Sequence, residues 1–162
     1  MINKIYYIKK FLFVIIILMI PNFNNAKEIL IYADSISYDE NENIIARGNA
    51  KIFQKNKLIF SDLIIYNQID DKIILPSKFN FKDENDNFFE GENGFFHKNL
   101  NYAEFENPKI KLNDGSRIIG KKIKRDGDID IITKGVYSPC KSRIKIANFV
   151  CPTWQLEGEK IL

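Results

Sequence analysis

The sequence predicts an all-β fold, which is a sandwich, a jelly roll or a solenoid made of short antiparallel strands. After residue 27, Ile, Phe, Tyr and Val alternate with polar residues, and no long stretch has the apolar spacing of a helix. Clusters of Asn, Asp and Gly, which favour turns, separate the apolar stretches. A weak repeat of about 30 residues indicates that similar supersecondary units are stacked on one another.

The composition is that of one folded domain. The chain has 162 residues, of which 45% are hydrophobic and 28% are charged, so it has enough apolar side chains for a core. Its formal net charge of +3 comes from Lys4, Lys9 and Lys10, because the residues after position 26 carry equal numbers of basic and acidic side chains. We therefore expect no nucleic acid partner.

Residues 1–26 predict a signal peptide. Lys4, Lys9 and Lys10 precede an uninterrupted apolar run at residues 11–20, and Ala26 supplies a small residue near a cleavage point. The run is about half as long as a membrane-spanning helix. The remaining residues 27–162 form the exported domain. An uncleaved signal anchor is the alternative, and it also delivers the domain across a membrane.

The repeat is clearest in its first two copies. Residues 33–38 read Ala-Asp-Ser-Ile-Ser-Tyr, and residues 61–66, which lie 28 positions later, read Ser-Asp-Leu-Ile-Ile-Tyr. Fainter copies begin at Gly91, Gly120 and Gly158. Such a period indicates one supersecondary unit stacked on the next, so that each unit buries a face that it could not bury alone.

These residues resemble the OstA-like periplasmic domain of lipopolysaccharide transport proteins. Residues 46–52, which read Ala-Arg-Gly-Asn-Ala-Lys-Ile between the first two copies, belong to the same pattern. A second element, Tyr-Ser-Pro-Cys at residues 137–140 followed by Cys-Pro-Thr-Trp-Gln-Leu at residues 151–156, is similar to the end of that domain in the LptD (organic solvent tolerance) family. The resemblance covers about residues 28–162.

The resemblance implies an open β-jelly roll that conducts the acyl chains of lipopolysaccharide at the periplasmic face of the outer membrane. The family's domain continues into a transmembrane β-barrel, so we expect this chain to be an N-terminal fragment, and the product of a truncated gene is the alternative. The implied partners are lipopolysaccharide, the periplasmic bridge protein of the transport chain and, where a barrel is present, the outer-membrane lipoprotein that plugs it. A stand-alone bridge protein of the LptA or LptC type is the alternative.

Alternation along the predicted strands gives the candidate residues of the lipid groove. Small side chains would leave room for an acyl chain, and apolar ones would contact it. Packing of a closed core is the alternative role for each of them. The groove candidates are Ile36, Tyr38, Ala46, Gly48, Ala50, Ile52, Ile64, Tyr66, Phe79, Phe81 and Phe96.

The resemblance also implies that the N-terminal edge of the sheet receives the bridge protein. The strand at residues 28–32 is too apolar for a freely solvated edge, and exposed edges accept strands from other chains. The predicted docking residues are Ile29, Leu30, Ile31 and Tyr32.

The two cysteines predict a disulfide bond in the exported chain. Cys140 and Cys151 enclose ten residues and are flanked by Pro139 and Pro152, which favours a local bridge. Pairing of either cysteine with a barrel cysteine is the alternative, because the cysteine that the family carries near its mature N-terminus is missing here.

The sequence does not predict an enzyme. His97 is the sole histidine and has no partner of a catalytic triad or a zinc site in the sequence. The carboxylates at residues 70–71 and 83–86 fall in turn clusters, where we expect them to be solvated. We therefore expect no metal and no cofactor. An exported carbohydrate-active β-repeat enzyme is the competing class. Such an enzyme requires two carboxylates at a defined separation on a rigid face.

Overall fold

Strands are the regular structure of the described chain, which contains no helix, so the all-β prediction is confirmed. The structure, a computed structural model, describes residues 29–97, 99–139, 145–146, 149–150 and 155–162. The predicted signal peptide lies outside these residues, and within them no helix could cross a membrane. The strands are β1 (Leu30–Tyr32), β2 (Ser35–Tyr38), β3 (Ile44–Gln54), β4 (Lys57–Asn67), β5 (Lys72–Leu75), β6 (Phe79–Lys82), β7 (Phe88–His97), β8 (Tyr102–Lys111), β9 (Arg117–Ile119), β10 (Lys122–Asp126), β11 (Ile129–Ser138), β12 (Lys145–Ile146), β13 (Phe149–Val150) and β14 (Leu156–Ile161).

Twelve of these strands form one antiparallel sheet that folds back on itself. The first half of β4 pairs with β6 and its second half with β5, and β7 and β8 are divided between neighbours in the same way. Each long strand therefore passes from one layer to another. Layer A contains β2, β5 and β10, layer B contains β1, β6 and β9, and the long strands contribute one half to each layer. β12 and β13 pair with each other as a separate ladder.

Irregular backbone in the middle of the long strands marks the crossing between the layers. The pairing register shifts around Gly48 in β3 and around Asn93 in β7. Gly48 (φ 73°), Asn93 (φ 50°) and Asn107 (φ 50°) have left-handed backbone, which glycine and asparagine adopt at lower cost than most residues. Such bulges bend a strand. The long side of the molecule where these bends lie is called the hinge side below.

Aromatic side chains from the two layers meet in the interior. Phe79 and Phe81 project from β6 in layer B, and Phe96 projects from the layer A half of β7. The ring centroid of Phe96 lies 5.7 Å from that of Phe79 and 4.8 Å from that of Phe81. Since these three rings are almost fully buried, the layers pack face to face around them.

The sequence repeat corresponds to the strands that enter layer A. Its copies fall on β2, on the second halves of β4 and β7, on β10 and on β14, and one antiparallel strand separates each from the next. In two copies the opening glycine lies at a close approach: a Cβ added to Gly91 would lie 2.3 Å from the Phe105 ring, and one added to Gly120 would lie 2.3 Å from Ile132. The predicted repeat is therefore a structural unit of two strands.

The described sheet has two open ends. β1 and β2 both pair with β3 at the N-terminal end, and β14 pairs with β11 at the other end. Within the described residues, no further strand covers either end. The described sheet therefore has an unpaired strand edge at each end, as the docking hypothesis requires.

Candidate functional site

Most of the predicted groove residues lie in the interior between the layers. They are almost fully buried and belong to one hydrophobic cluster. The cluster is filled by their own side chains, so an acyl chain could occupy it only if the layers moved apart. The groove candidates placed there are Ala46, Ala50, Ile52, Ile64, Phe79, Phe81 and Phe96.

The interior face continues into solvent at the β2 end. Ile36 is paired with buried Ala46 and therefore shares its face, yet 50% of Ile36 is exposed. Tyr38 lies on the same face of β2 and is 69% exposed. The apolar surface of the interior is thus accessible at this end of the sheet, where layer B does not cover β2.

Tyr66 and Gly48 have polar surroundings. The Tyr66 hydroxyl donates a hydrogen bond to Asp71 Oδ1 (3.3 Å), and burial, followed by the charge of Asp71, raises the pKa of Tyr66. Gly48 forms the bulge of β3, and a Cβ added there would lie 2.5 Å from Asp34 Oδ2. Its small size is therefore required by the close approach of Asp34.

A row of polar contacts joins the free tips of the two layers on the side opposite the hinge side. Gln54 Nε2 in layer B donates to Asn99 Oδ1 at the tip of layer A (3.2 Å). Lys57 Nζ, also in layer B, donates to Asn101 Oδ1 (2.6 Å). The buried side chain of Leu100 lies between these two contacts in the chain. This row closes the long side along which the interior would otherwise be open.

Arg125 is the centre of the third contact in this row. Its guanidinium makes two hydrogen bonds of 2.7 Å to the Asp130 carboxylate on layer A and lies 3.6 Å from Asp83 Oδ2 on layer B. Its Cζ atom is 4.4 Å from the centroid of the Phe89 ring. Burial opposes the charge, but the hydrogen bond and charge of Asp130, followed by those of Asp83, raise the pKa of Arg125. These three contacts, made by Gln54, Lys57, Asp83, Asn99, Asn101 and Arg125, are called the seam.

Asp83 corrects one expectation about the turn carboxylates. As predicted for a turn, its Oδ1 accepts hydrogen bonds from the backbone N–H groups of Asn85 (3.0 Å) and Asn87 (2.9 Å). It is only 4% exposed, however, so the prediction that it is solvated was wrong. Asp39 makes the same turn with Asn41 and Asn43, and the side-chain hydrogen bond from Asn43 lowers the pKa of Asp39. Arg125 faces Asp83, and among the described residues no arginine or lysine is seen to pair with Asp39 in the same way.

The sequence analysis did not predict the seam, although the alternation of buried and exposed side chains along the strands indicated it. Gln54 comes two positions after the buried Ile52, and Arg125 comes two positions after the buried Ile123. Because side chains two positions apart share one face of a strand, both polar residues had to point inward. An inward-pointing polar residue at a strand end requires a partner, and here the partner lies on the opposite layer.

The predicted docking strand lies at the edge of the sheet. β1 pairs with β3 along one side, and its other side has no partner strand among the described residues. Ile31 faces the interior beside Ile52, whereas Leu30 and Tyr32 are exposed on the outer side. Together with Phe53 and two lysines, these exposed side chains line a shallow cavity of about 540 Å³.

The described residues offer no site for a metal. No group of three or more His, Cys, Asp or Glu side chains comes together among them. The ring of His97 lies against that of Tyr102, with centroids 4.6 Å apart. Cys140 and Cys151 lie outside the described residues, as do Glu28 and the Cys-Pro-Thr-Trp element at residues 151–154, so their predicted roles stay predictions.

The comparisons with known proteins identify the fold. No family model matches the sequence, and no curated protein matches it significantly. The chain is similar to the crystal structure of LptH from Pseudomonas aeruginosa, which is described as the LptA-homologous periplasmic component of the conserved lipopolysaccharide transport device. The TM-score is 0.53, the sequences are 15% identical, and the match covers 62% of this chain and 76% of that chain. The fold is therefore the antiparallel β-jelly roll that the resemblance implied.

Proposed function

We propose that this chain is a periplasmic, non-catalytic module that carries the acyl chains of lipopolysaccharide between its two layers. The observation that carries the proposal is the apolar interior. The continuous backbone of the long strands closes it on the hinge side, and among the described residues the polar seam and the buried Leu100 close it on the other side. Its fold similarity to LptH, a component of a lipopolysaccharide transport device, supports the substrate class. Burial of acyl chains contributes roughly 25 cal/mol per Å² and needs no directional chemistry.

Opening of the seam is the step that admits a lipid in this proposal. The interior is filled by Phe79, Phe81 and Phe96, so the layers must separate before a chain enters. The bulged hinge side holds the layers together during that movement. The exposed apolar face of Ile36 and Tyr38 then gives the acyl chains a continuous path out of the β2 end.

Lipid capture inside the chain tests this proposal. A diazirine amino acid placed at Ile64 or Phe81 in growing cells is expected to crosslink lipopolysaccharide, because both side chains face the interior. The control is the same group at Ile129, which is 59% exposed on the outer side. Crosslinking at Ile129 that equals or exceeds crosslinking at Ile64 and Phe81 would reject an internal lipid path.

Two members of the transport chain fit this proposal. The Cys-Pro-Thr-Trp-Gln element favours the periplasmic domain of an LptD-type translocon, which would lie at the periplasmic face of the outer membrane beside its lipoprotein plug. The fold similarity to LptH favours a bridge protein of the LptA type. The reading frame beyond Leu162 separates them: a continuation into many alternating strands supports the translocon, and a stop codon supports the bridge protein.

The β1 edge is the proposed dock for the neighbouring bridge protein. The backbone amides of successive residues in a strand point to opposite sides. One of the two variants Leu30→Pro and Ile31→Pro therefore removes a hydrogen-bond donor from the free edge of β1, and the other removes a donor that pairs with β3. The variant that keeps the wild-type melting temperature is expected to bind the bridge protein about fivefold more weakly, because one hydrogen bond to the bridge protein is lost.

A pull-down of the bridge protein with both variants measures this effect. The two substitutions are matched in chemistry and adjacent in sequence, so each is the control for the other. Wild-type recovery by the variant with the wild-type melting temperature would contradict docking at β1.

A further inference from the structure

The outer surface of layer B carries a row of side chains that combines apolar rings with cations. Pairing registers align one residue from each of six strands, β3, β4, β6, β7, β8 and β9, across the layer. At a strand spacing of about 4.8 Å the row is roughly 24 Å long. The six residues, called the outer row, are Phe53, Leu58, Lys82, Phe88, Lys111 and Arg117.

The two aromatic members of the outer row are open to solvent. Phe88 is 49% exposed and Phe53 is 37% exposed, although both belong to strands whose alternate residues are buried. Lys82 Nζ lies 5.5 Å from the centroid of the Phe88 ring, so a cation stands beside the exposed ring. Lys111 is the cross-strand partner of Phe88 and is exposed beside it. The exposed Phe88 ring therefore lies between two lysines of the outer row.

The charge of the outer row differs from that of the surface nearer the hinge side. The row itself contains three cations and no carboxylate, and Lys82 Nζ lies 2.6 Å from Asp86 Oδ1 in the adjoining turn. The next row toward the hinge side includes Glu90, which pairs with Lys109 at 3.9 Å. Glu92 lies beyond it. The outer row thus differs from the next row, which includes Lys51, Lys109 and Glu90, in having no carboxylate among its own members.

We propose that the outer row is a docking face for an anionic phospholipid membrane surface. Exposed rings with flanking lysine and arginine suit the boundary between headgroups and acyl chains, because the ring enters the boundary while the cations remain at the phosphates. Each cation near an anionic surface contributes about 1 kcal/mol of attraction. The row is on the outside of layer B and is separate from the interior. Its Phe53 pairs with Leu30 of β1, whereas Phe88 and Lys111 lie on β7 and β8, so the face that these two residues form does not depend on the proposed lipid transport.

Vesicle binding by the chain purified from the periplasm after export tests this face. The probes are vesicles of phosphatidylglycerol and phosphatidylcholine in equal parts and vesicles of phosphatidylcholine alone. Phe88→Ser combined with Lys111→Gln is expected to weaken binding to the anionic vesicles on the order of tenfold, because it removes one inserted ring and one cation. The matched control, Ile129→Ser with Lys124→Gln, makes similar changes on the outer side of layer A and is expected to bind like the wild type.

Several outcomes would overturn the proposal. Equal binding by the test and control variants excludes the outer row, and equal binding to both vesicle types excludes recognition of anionic headgroups. If Phe88→Ser with Lys111→Gln changes the molecular mass of the chain in solution without changing vesicle binding, the outer row is an interface between copies of this chain. Circular dichroism of each variant shows whether the strands are retained, and Lys111→Gln alone supplies a milder variant with an expected loss of about fivefold.

Discussion

Replacement of Arg125 with leucine is expected to lower the free energy of unfolding by about 3–5 kcal/mol. The guanidinium is nearly buried and is the contact partner of the Asp83 and Asp130 carboxylates. Without it, Asp83 remains at 5% side-chain exposure as a negative charge between the layers. The contact between the Arg125 guanidinium and the Phe89 ring is lost as well. Denaturation in urea, followed by circular dichroism, measures the change.

Lys109→Leu is the matched control for Arg125→Leu. Lys109 also forms an ion pair, with Glu90 at 3.9 Å, but both side chains are more than 60% exposed. Water screens such a pair, so its loss is expected to cost less than about 1 kcal/mol. If the two substitutions lowered the free energy of unfolding by similar amounts, burial of the Arg125 contacts would not make them more stabilising than an exposed ion pair.

The local pattern of the sequence predicted the strands and the repeat because both depend on neighbouring residues. In residues 46–52, the buried Ala46, Ala50 and Ile52 alternate with exposed residues as predicted. Turn chemistry was equally local, since Asp39 and Asp83 both bond the backbone two and four residues later. Each of these features is determined within a few residues, where side-chain period and hydrogen-bonding capacity act directly.

The division of the long strands between two layers could not be read from the same pattern. Asn93 and Asn107 look like surface polar residues in the sequence, but each has left-handed backbone at a bend. A bulge adds one residue to one strand, and its position depends on the pairing partner, which lies far away in sequence. The seam depends on long-range pairing in the same way, because Gln54 and Asn99 are 45 positions apart.

The state of the seam also accounts for the different positions of the groove candidates. Phe81 and Phe96 are buried because the tips of the layers meet, whereas Ile36 and Tyr38 lie on the same inner face beyond the part that layer B covers. In a closed molecule the first pair forms a core and the second pair forms a surface. In the proposed mechanism, opening of the seam converts both pairs into one continuous apolar wall, so that core packing and lipid contact are two states of the same residues.

Covalent closure of the seam is expected to reduce lipid capture in the interior strongly. Gln54→Cys with Asn99→Cys places two thiols where the side chains now meet at 3.2 Å, and a short bifunctional maleimide would join layer B to layer A there. With a diazirine at Phe81, the joined chain is expected to capture at least about tenfold less lipopolysaccharide than before treatment, because one tether removes most of the open state. Its melting temperature should rise, since the tether restrains the unfolded chain.

Controls for this closure separate the tether from the reagent. Each single cysteine variant, and the chain with no introduced cysteine, receives the same maleimide and should keep its capture of lipid at Phe81. Undiminished capture by the tethered chain would contradict entry through the seam and would place entry at the β2 end, where Ile36 and Tyr38 are exposed. A diazirine at Tyr38 completes the argument: if lipid enters through the seam and leaves by β2, tethering must reduce capture at Tyr38 in parallel with capture at Phe81, because both positions lie on one path.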